Sequence, residues 1–201
     1  MKSAGLILAA GQSSRMMQQK ALLPWGDKTL IEWNIQCLQS AGIEKIFVVV
    51  GSEYLKIEEK IQNLNVHTII NHDWAQGRNS SILSGVKEIL SYHQEKKIDN
   101  FLVQNVDQPL TIKIITEIMD FVKSQKNFEV IQPFFNNKNR HPVIFHINQA
   151  NKLLNIKNHK SGLRSIIQEL DVKTITIDSR LLNINLNYIS DYHQALKEFN
   201  I

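Results

Sequence analysis

Two cations five positions apart, Arg15 and Lys20, follow an apolar run that breaks into small residues, Leu6-Ile7-Leu8-Ala9-Ala10-Gly11-Gln12-Ser13-Ser14. Small side chains let a ligand come close to the main chain, so that successive N–H groups can point at an anion. Arg15 and Lys20 can then meet the remaining charge. The pattern is a place to hold phosphates, although it lacks both the Gly-Lys-Ser/Thr end of a P-loop and the G-x-G-x-x-G spacing. Asp107 stands just after a second apolar run, Phe101 to Asn105, where a carboxylate can offer oxygen to a hard cation. Each has a plainer alternative. Arg15 and Lys20 would serve as solvated loop charges, and Asp107 would shape the turn before Pro109 or cap the helix that opens near Thr111.

The elements around these residues decide whether they can meet. Strand-like runs at Gly5 to Ala9, Lys45 to Val50, His67 to Ile70 and Phe101 to Asn105 alternate with helical patterns, which is how a mostly parallel sheet with crossover helices reads. Thr29 and Glu32 have capping-box spacing and open a helix that Gly42 closes. Further helices are predicted from Tyr54 to Asn63, Ser80 to Ser91 and Thr111 to Gln125. Glu129 to Phe145 holds two extended runs around the polar Asn136-Asn137-Lys138-Asn139-Arg140, a hairpin or an excursion from the main sheet. Helical patterns at Gln149 to Asn155 and Gly162 to Leu170 are followed by two extended runs and a last helix over Ile189 to Asn200. The fold class is therefore α/β, a Rossmann-like single domain over 1–201. Such sheets bind ligands at the carboxyl ends of their strands, where the loop from Leu8 to Lys20 and Asp107 both fall. A nucleoside triphosphate with its metal suits that crevice.

Composition narrows the class. With 201 residues, 43% hydrophobic and 21% charged, the chain can bury a sizeable core. Its net charge of +4 is dispersed, with Lys96-Lys97 the one notable pair, so a small anionic ligand is expected rather than nucleic acid. No apolar run is long enough to span a membrane and Met1-Lys2-Ser3 leads directly into a strand, so a cytoplasmic protein is expected. The single Cys37 falls on the apolar face of the first helix and reads as a small buried hydrophobe. Seven histidines show no H-x-x-x-H pair, which argues against a zinc site. Trp25 and Trp74 read as packing residues rather than base-stacking ones.

Five segments in order resemble the molybdenum cofactor cytidylyltransferase family. They are Leu8-Ala9-Ala10-Gly11-Gln12-Ser13-Ser14-Arg15-Met16 with Lys20 and Leu22-Leu23-Pro24, Asn71 to Ile82, Asp107-Gln108-Pro109, His141-Pro142-Val143-Ile144-Phe145, and Asn185 to Tyr192. The resemblance implies transfer of CMP from CTP to the phosphate of a molybdopterin-type cofactor, with release of pyrophosphate. Leu8, Ala9, Ala10, Gly11, Ser13, Arg15 and Lys20 would bind the nucleotide, with Ser80 and Ser81 hydrogen-bonding base or ribose or simply capping their helix. Asp107 and Asn187 would hold Mg²⁺, with Mn²⁺ as the alternative ion and Asn185 as the alternative ligand. His141 would lie at the acceptor site or serve only the turn before Pro142. A molybdoenzyme or its maturation chaperone would be the partner.

The sequence departs from the family pattern at three places. Met17 replaces a usual Gly, Gln19 a usual Pro, and Arg140 the Gly before His-Pro, adding a cation near the acceptor region. If that Gly takes a positive φ, Met17 must strain or reshape the turn. Asn185 and Asn187 are neutral where the closest family pattern has aspartates. The rival readings are a GTP-dependent guanylyltransferase, a sugar-phosphate nucleotidyltransferase, and a non-catalytic nucleotide or cofactor-binding chaperone.

Overall fold

The computed structural model describes residues 1–156 and 162–201. Its elements run β1 (Ser3–Ala9), β2 (Pro24–Trp25), β3 (Lys28–Thr29), α1 (Leu30–Ser40), β4 (Lys45–Val50), α2 (Tyr54–Ile61), β5 (His67–Ile70) and α3 (Arg78–Lys96). There follow β6 (Asn100–Asn105), α4 (Ile112–Ser124), β7 (Val130–Phe135), β8 (Lys138–Asn139), β9 (Val143–His146), α5 (Ala150–Leu153), α6 (Leu163–Gln168), β10 (Val172–Thr176) and α7 (Ile189–Phe199). The main sheet has the order β10-β7-β9-β6-β1-β4-β5, with β8 paired to β7. β1 lies between β4 and β6, parallel to both, and β9 runs antiparallel between β6 and β7.

Alternating side chains explain why both faces are covered. On one face Ile7, Ala9, Ile46, Val48 and Val50 pack with Ile31, Ile35 and Leu38 of α1, Ile57 of α2, Ile114 and Ile118 of α4, and Tyr192 of α7. On the other, Leu6, Leu8, Phe47 and Val49 pack with Ile82, Val86 and Ile89 of α3, Leu153 of α5 and Ile166 of α6. The expected α/β fold with a mostly parallel sheet is thus observed. Glu32 Oε2 accepts from the Thr29 N–H at 2.8 Å, which completes the predicted capping box.

Two local expectations need correction, while the segment after Glu129 takes the hairpin reading, with β7 pairing antiparallel to β8 and β9 inside the main sheet rather than leaving it. Asn136 and Asn137 both take positive φ, 49° and 57°, and turn β7 into β8, after which β9 inserts beside β6. The second extended run before α7 forms no strand. It becomes a 3-10 turn over Arg180–Asn183 and an unpaired stretch. Ser80 and Ser81 do not cap α3, which begins at Arg78 with Gly77 as its cap residue at φ 97°. Among the described residues no helix is long and apolar enough to cross a membrane.

Candidate active site

The loop after β1 and the turn after β6 emerge side by side because their strands are parallel neighbours. Cross-links hold them: the Val106 N–H donates to Leu8 O at 3.1 Å, and the Ser52 N–H, after β4, to Ala10 O at 3.0 Å. The loop turns at Ser13 and again at Met17, both left-handed, with φ of 55° and 53°. Among the described residues, the N–H groups of Gly11, Gln12 and Ser13 have no acceptor. Exposed main-chain donors of this kind form an anion cradle. Leu8, Ala9, Ala10, Gly11, Ser13 and Arg15 all line the cleft that results, a cavity of about 360 Å³.

Met17 settles the choice between strain and a reshaped turn. It keeps the left-handed conformation although it carries a Cβ, at a cost of roughly 1–2 kcal/mol, and its side chain is 92% exposed and recovers nothing by packing.

The opposite wall is built around Asp107. Helix α1 pins its turn: buried Asn34 donates to Val106 O at 3.3 Å, Trp33 Nε1 to Leu110 O at 2.9 Å, and Cys37 Sγ lies 3.2 Å from the same carbonyl. Burial pushes the Cys37 thiol up to about 12, so it stays protonated. Thr111, not Asp107, caps α4, which leaves the Asp107 carboxylate free to face the cleft. There its Oδ2 meets Lys20 Nζ at 2.8 Å, with Asn187 Oδ1 3.5 Å from the same ammonium. Asn187 is held in place by its main chain, whose N–H donates to Asp191 Oδ2 at 3.0 Å, while the neighbouring Leu186 N–H donates to Asp107 O at 2.9 Å. Asn185 lies elsewhere, in a cavity with Arg180, Asp191 and Glu198. Of the two asparagines, the structure brings Asn187 to Asp107.

Ser80 and Ser81 part company. Ser81 lines the cleft, and its Oγ accepts from Asn71 Nδ2 at 3.0 Å. Ser80 Oγ lies 2.9 Å from Asp73 O and 2.8 Å from Gly77 O while accepting from Asn71, so it is occupied in shaping the 71–77 loop. Trp74 lines the cleft edge, its Cβ so close to Gly51 that a methyl group there would lie 2.6 Å away. Trp25 is fully buried against Tyr192 and Phe199.

Through Leu8, Arg78 and Asn105 the cleft opens into a second cavity of about 890 Å³. Among the described residues Arg78, Lys138 and Arg164 line it, no Asp or Glu does, and none of the three cations forms an ion pair. His141 lines the same cavity. Arg140 buries its Nε, which has no hydrogen-bond partner among the described residues, and is not part of that lining. Sequence reasoning gave Arg78 no role of its own and marked the buried Gln19 only as a departure from a usual Pro. Only the fold shows that Arg78 stands between two cavities, and a lone buried glutamine leaves no periodic signal.

Burial lowers the His141 pKa to about 4, a contact of Nδ1 with Val103 O at 3.5 Å opposes this, Arg78 lowers it further and Asp107 raises it. The native ring is therefore neutral where an unfolded chain already takes up a proton, near 6.5. The unfolded state binds more protons between these values, so the stability this residue contributes above pH 6.5 is lost as pH falls toward 4. Part of the ring reaches the cavity, which limits the effect to on the order of 2 kcal/mol. Urea unfolding of wild type and His141→Asn should give curves of stability against pH that diverge over this window, the wild type falling more steeply. Parallel curves would refute the buried neutral ring.

Residues 5–174 match the MobA-like NTP transferase domain. The chain belongs to that family. It is 32% identical to the molybdenum cofactor cytidylyltransferase of Escherichia coli over 163 residues, 79% of each chain. It is also 24% identical over 206 residues to a probable molybdenum cofactor guanylyltransferase of Bacillus mycoides, covering 99% of this chain and 98% of the relative. A crystal structure of a Mycobacterium tuberculosis protein superposes with a TM-score of 0.84 at 18% identity over 98% of both chains, and that protein has also been solved in complex with manganese. As a MobA-like NTP transferase the protein is a nucleotidyltransferase. Asn187 lies beyond the matched residues, so its place beside Asp107 rests on this structure.

A divalent cation fits the donors present. Among the described residues no three His, Cys, Asp or Glu side chains gather to cage a metal. The Asp107 carboxylate and the Asn187 amide oxygen converge at the Lys20 ammonium, which suits a hard ion that takes the rest of its ligands from phosphates and water.

Proposed function

We propose that the protein transfers CMP from CTP to the terminal phosphate of a molybdopterin-type cofactor bearing molybdenum and releases pyrophosphate. The observation that carries this reading is the junction of two cavities. A phosphate cradle facing the Lys20–Asp107 pair opens, past Arg78, into a larger space whose charged lining is wholly cationic among the described residues. In the transfer, an acceptor phosphate oxygen forms a bond to the α-phosphorus as the bond to the bridging oxygen breaks, and pyrophosphate carries the electron pair away. Lys20 moves from Asp107 onto the phosphates and neutralises charge there, Arg15 meets the outer phosphates, and the free N–H groups of Gly11, Gln12 and Ser13 take their oxygens. Mg²⁺, held by Asp107 and Asn187, supplies Lewis-acid stabilisation when bound. Arg78, Lys138 and Arg164 receive the acceptor's charge, and no side chain need become covalently attached. We place the reaction in the cytoplasm, with the product passing to a molybdoenzyme or its maturation chaperone.

Support for the pyrimidine comes from Ser81, whose hydroxyl proton is uncommitted among the described residues and can donate to a base carbonyl at the cleft wall. The guanylyltransferase relative, matched over nearly the whole chain, supports GTP as the second reading. Thermal shifts with CTP, GTP, ATP and UTP at equal concentration with Mg²⁺ separate them, because a ligand that prefers the native state raises its stability. CTP is expected to give the largest shift. A larger shift with GTP would replace the cytidylyl reading with the guanylyl one.

A further inference from the structure

Gln19 is only 8% exposed, unusual for an amide beside a ligand loop, and every hydrogen-bonding group of its side chain is used. Its Nε2 donates to Gly11 O at 3.1 Å and to Ser52 O at 3.0 Å. Its Oε1 accepts from Ser13 Oγ at 2.9 Å, and that hydroxyl accepts in turn from the Lys20 N–H at 3.1 Å. These bonds join the start of the phosphate loop, its left-handed apex, the residue carrying the ammonium, and the turn after β4. We infer that Gln19 is a positioning residue for triphosphate binding, holding the loop in its anion-receiving shape before any ligand arrives. The inference rests on the reading of this cleft as the triphosphate site.

Two consequences follow from the bonding. Trans peptides are planar, so a Gly11 carbonyl drawn toward Gln19 turns the Gln12 N–H the opposite way. With the Ser13 proton committed to Gln19, the hydroxyl lone pair is left for Lys20, which fixes the backbone from which its Nζ reaches Asp107 at 2.8 Å. The position needs two donors and one acceptor at this reach, and only a primary amide of glutamine's length supplies them. Glutamate would set a carboxylate against two carbonyls, and methionine would fill the volume with no donor. The loop also bears the exposed, left-handed Met17, so its shape must be imposed by contacts.

The test compares wild type with Gln19→Met, Gln19→Glu, Ser13→Ala and the Gln19→Met/Ser13→Ala pair by calorimetric titration with Mg-CTP and Mg-GTP, and by steady-state kinetics. Gln19→Met is expected to raise the triphosphate Kd about tenfold, since the loop must then be ordered on binding. The acceptor KM should stay unchanged. Gln19→Glu, equal in length, should lose as much, which volume alone would not cause. The pair should be no worse than its weaker-binding single variant, because both changes cut one chain of bonds. A Gln19→Met protein that melts earlier yet binds triphosphate like wild type would overturn the inference and leave a structural role. Should that variant fail to fold, the partly exposed Ser13→Ala carries the test, and wild-type affinity there would equally overturn it. Wild type binding neither triphosphate would instead overturn the reading of the cleft.

Discussion

Lys20→Ala should lower turnover by on the order of a hundredfold or more, with the protein still folded and acceptor saturating. The ammonium is 13% exposed and touches Asp107 at 2.8 Å, so it stands in a site of reduced screening where a fixed charge acts strongly. Transfer moves negative charge from the α-phosphate onto the departing pyrophosphate. A cation that follows that charge stabilises the transition state more than the bound substrate, and its removal shows chiefly in kcat. Arg15 should behave differently. It is exposed at the cleft rim, 5.7 Å over the Tyr188 ring, so Arg15→Ala is expected to weaken triphosphate binding more than turnover. Initial rates at saturating CTP and acceptor decide the matter, with circular dichroism to confirm folding. Near-normal kcat for Lys20→Ala would exclude the role given to this ammonium.

The order of strands and helices was legible because β1, β4 and β6 are buried on both faces, the first two reading as apolar runs and β6 carrying Phe101-Leu102-Val103 at its centre. Placing the phosphate loop and Asp107 at strand ends followed from that alternation. Where alternation fades, the sequence said less. The β7–β8 turn depends on two asparagines with positive φ, and nothing local reveals that β9 then returns between β6 and β7. Helix α3 begins before its serines because Gly77 supplies the turn and Asn71 engages both hydroxyls across the loop, a contact nine and ten residues long in sequence. Asn187 and Asn185 were indistinguishable by residue type. Their separation depends on which faces the cleft once α7 has docked, a tertiary fact fixed by Asp191 and the Asp107 carbonyl. Arg78 stands where two cavities meet and Gln19 bonds to Gly11, Ser13 and Ser52, placements that exist only once the chain has folded.

The metal dependence should split Asp107 from Asn187. Among the described residues Asp107 is the one acidic side chain lining the cleft, so Asp107→Ala should abolish metal-dependent turnover and also free Lys20 from its ion pair. Asn187 contributes a neutral oxygen that water can replace, so Asn187→Ala should raise the Mg²⁺ concentration needed for half activity while retaining measurable kcat. Asn187→Asp places a second carboxylate beside the same ammonium. It should keep activity and lower the Mg²⁺ requirement, because the added charge favours a divalent ion. Initial rate against Mg²⁺ at fixed CTP, repeated with Mn²⁺, gives all three curves, and manganese binding followed by electron paramagnetic resonance separates lost affinity from lost chemistry. An Asn187→Ala curve that overlies wild type would leave Asp107 as the sole protein ligand. Activity in Asp107→Ala would remove the metal from this cleft altogether, since among the described residues no other carboxylate lines it to take its place.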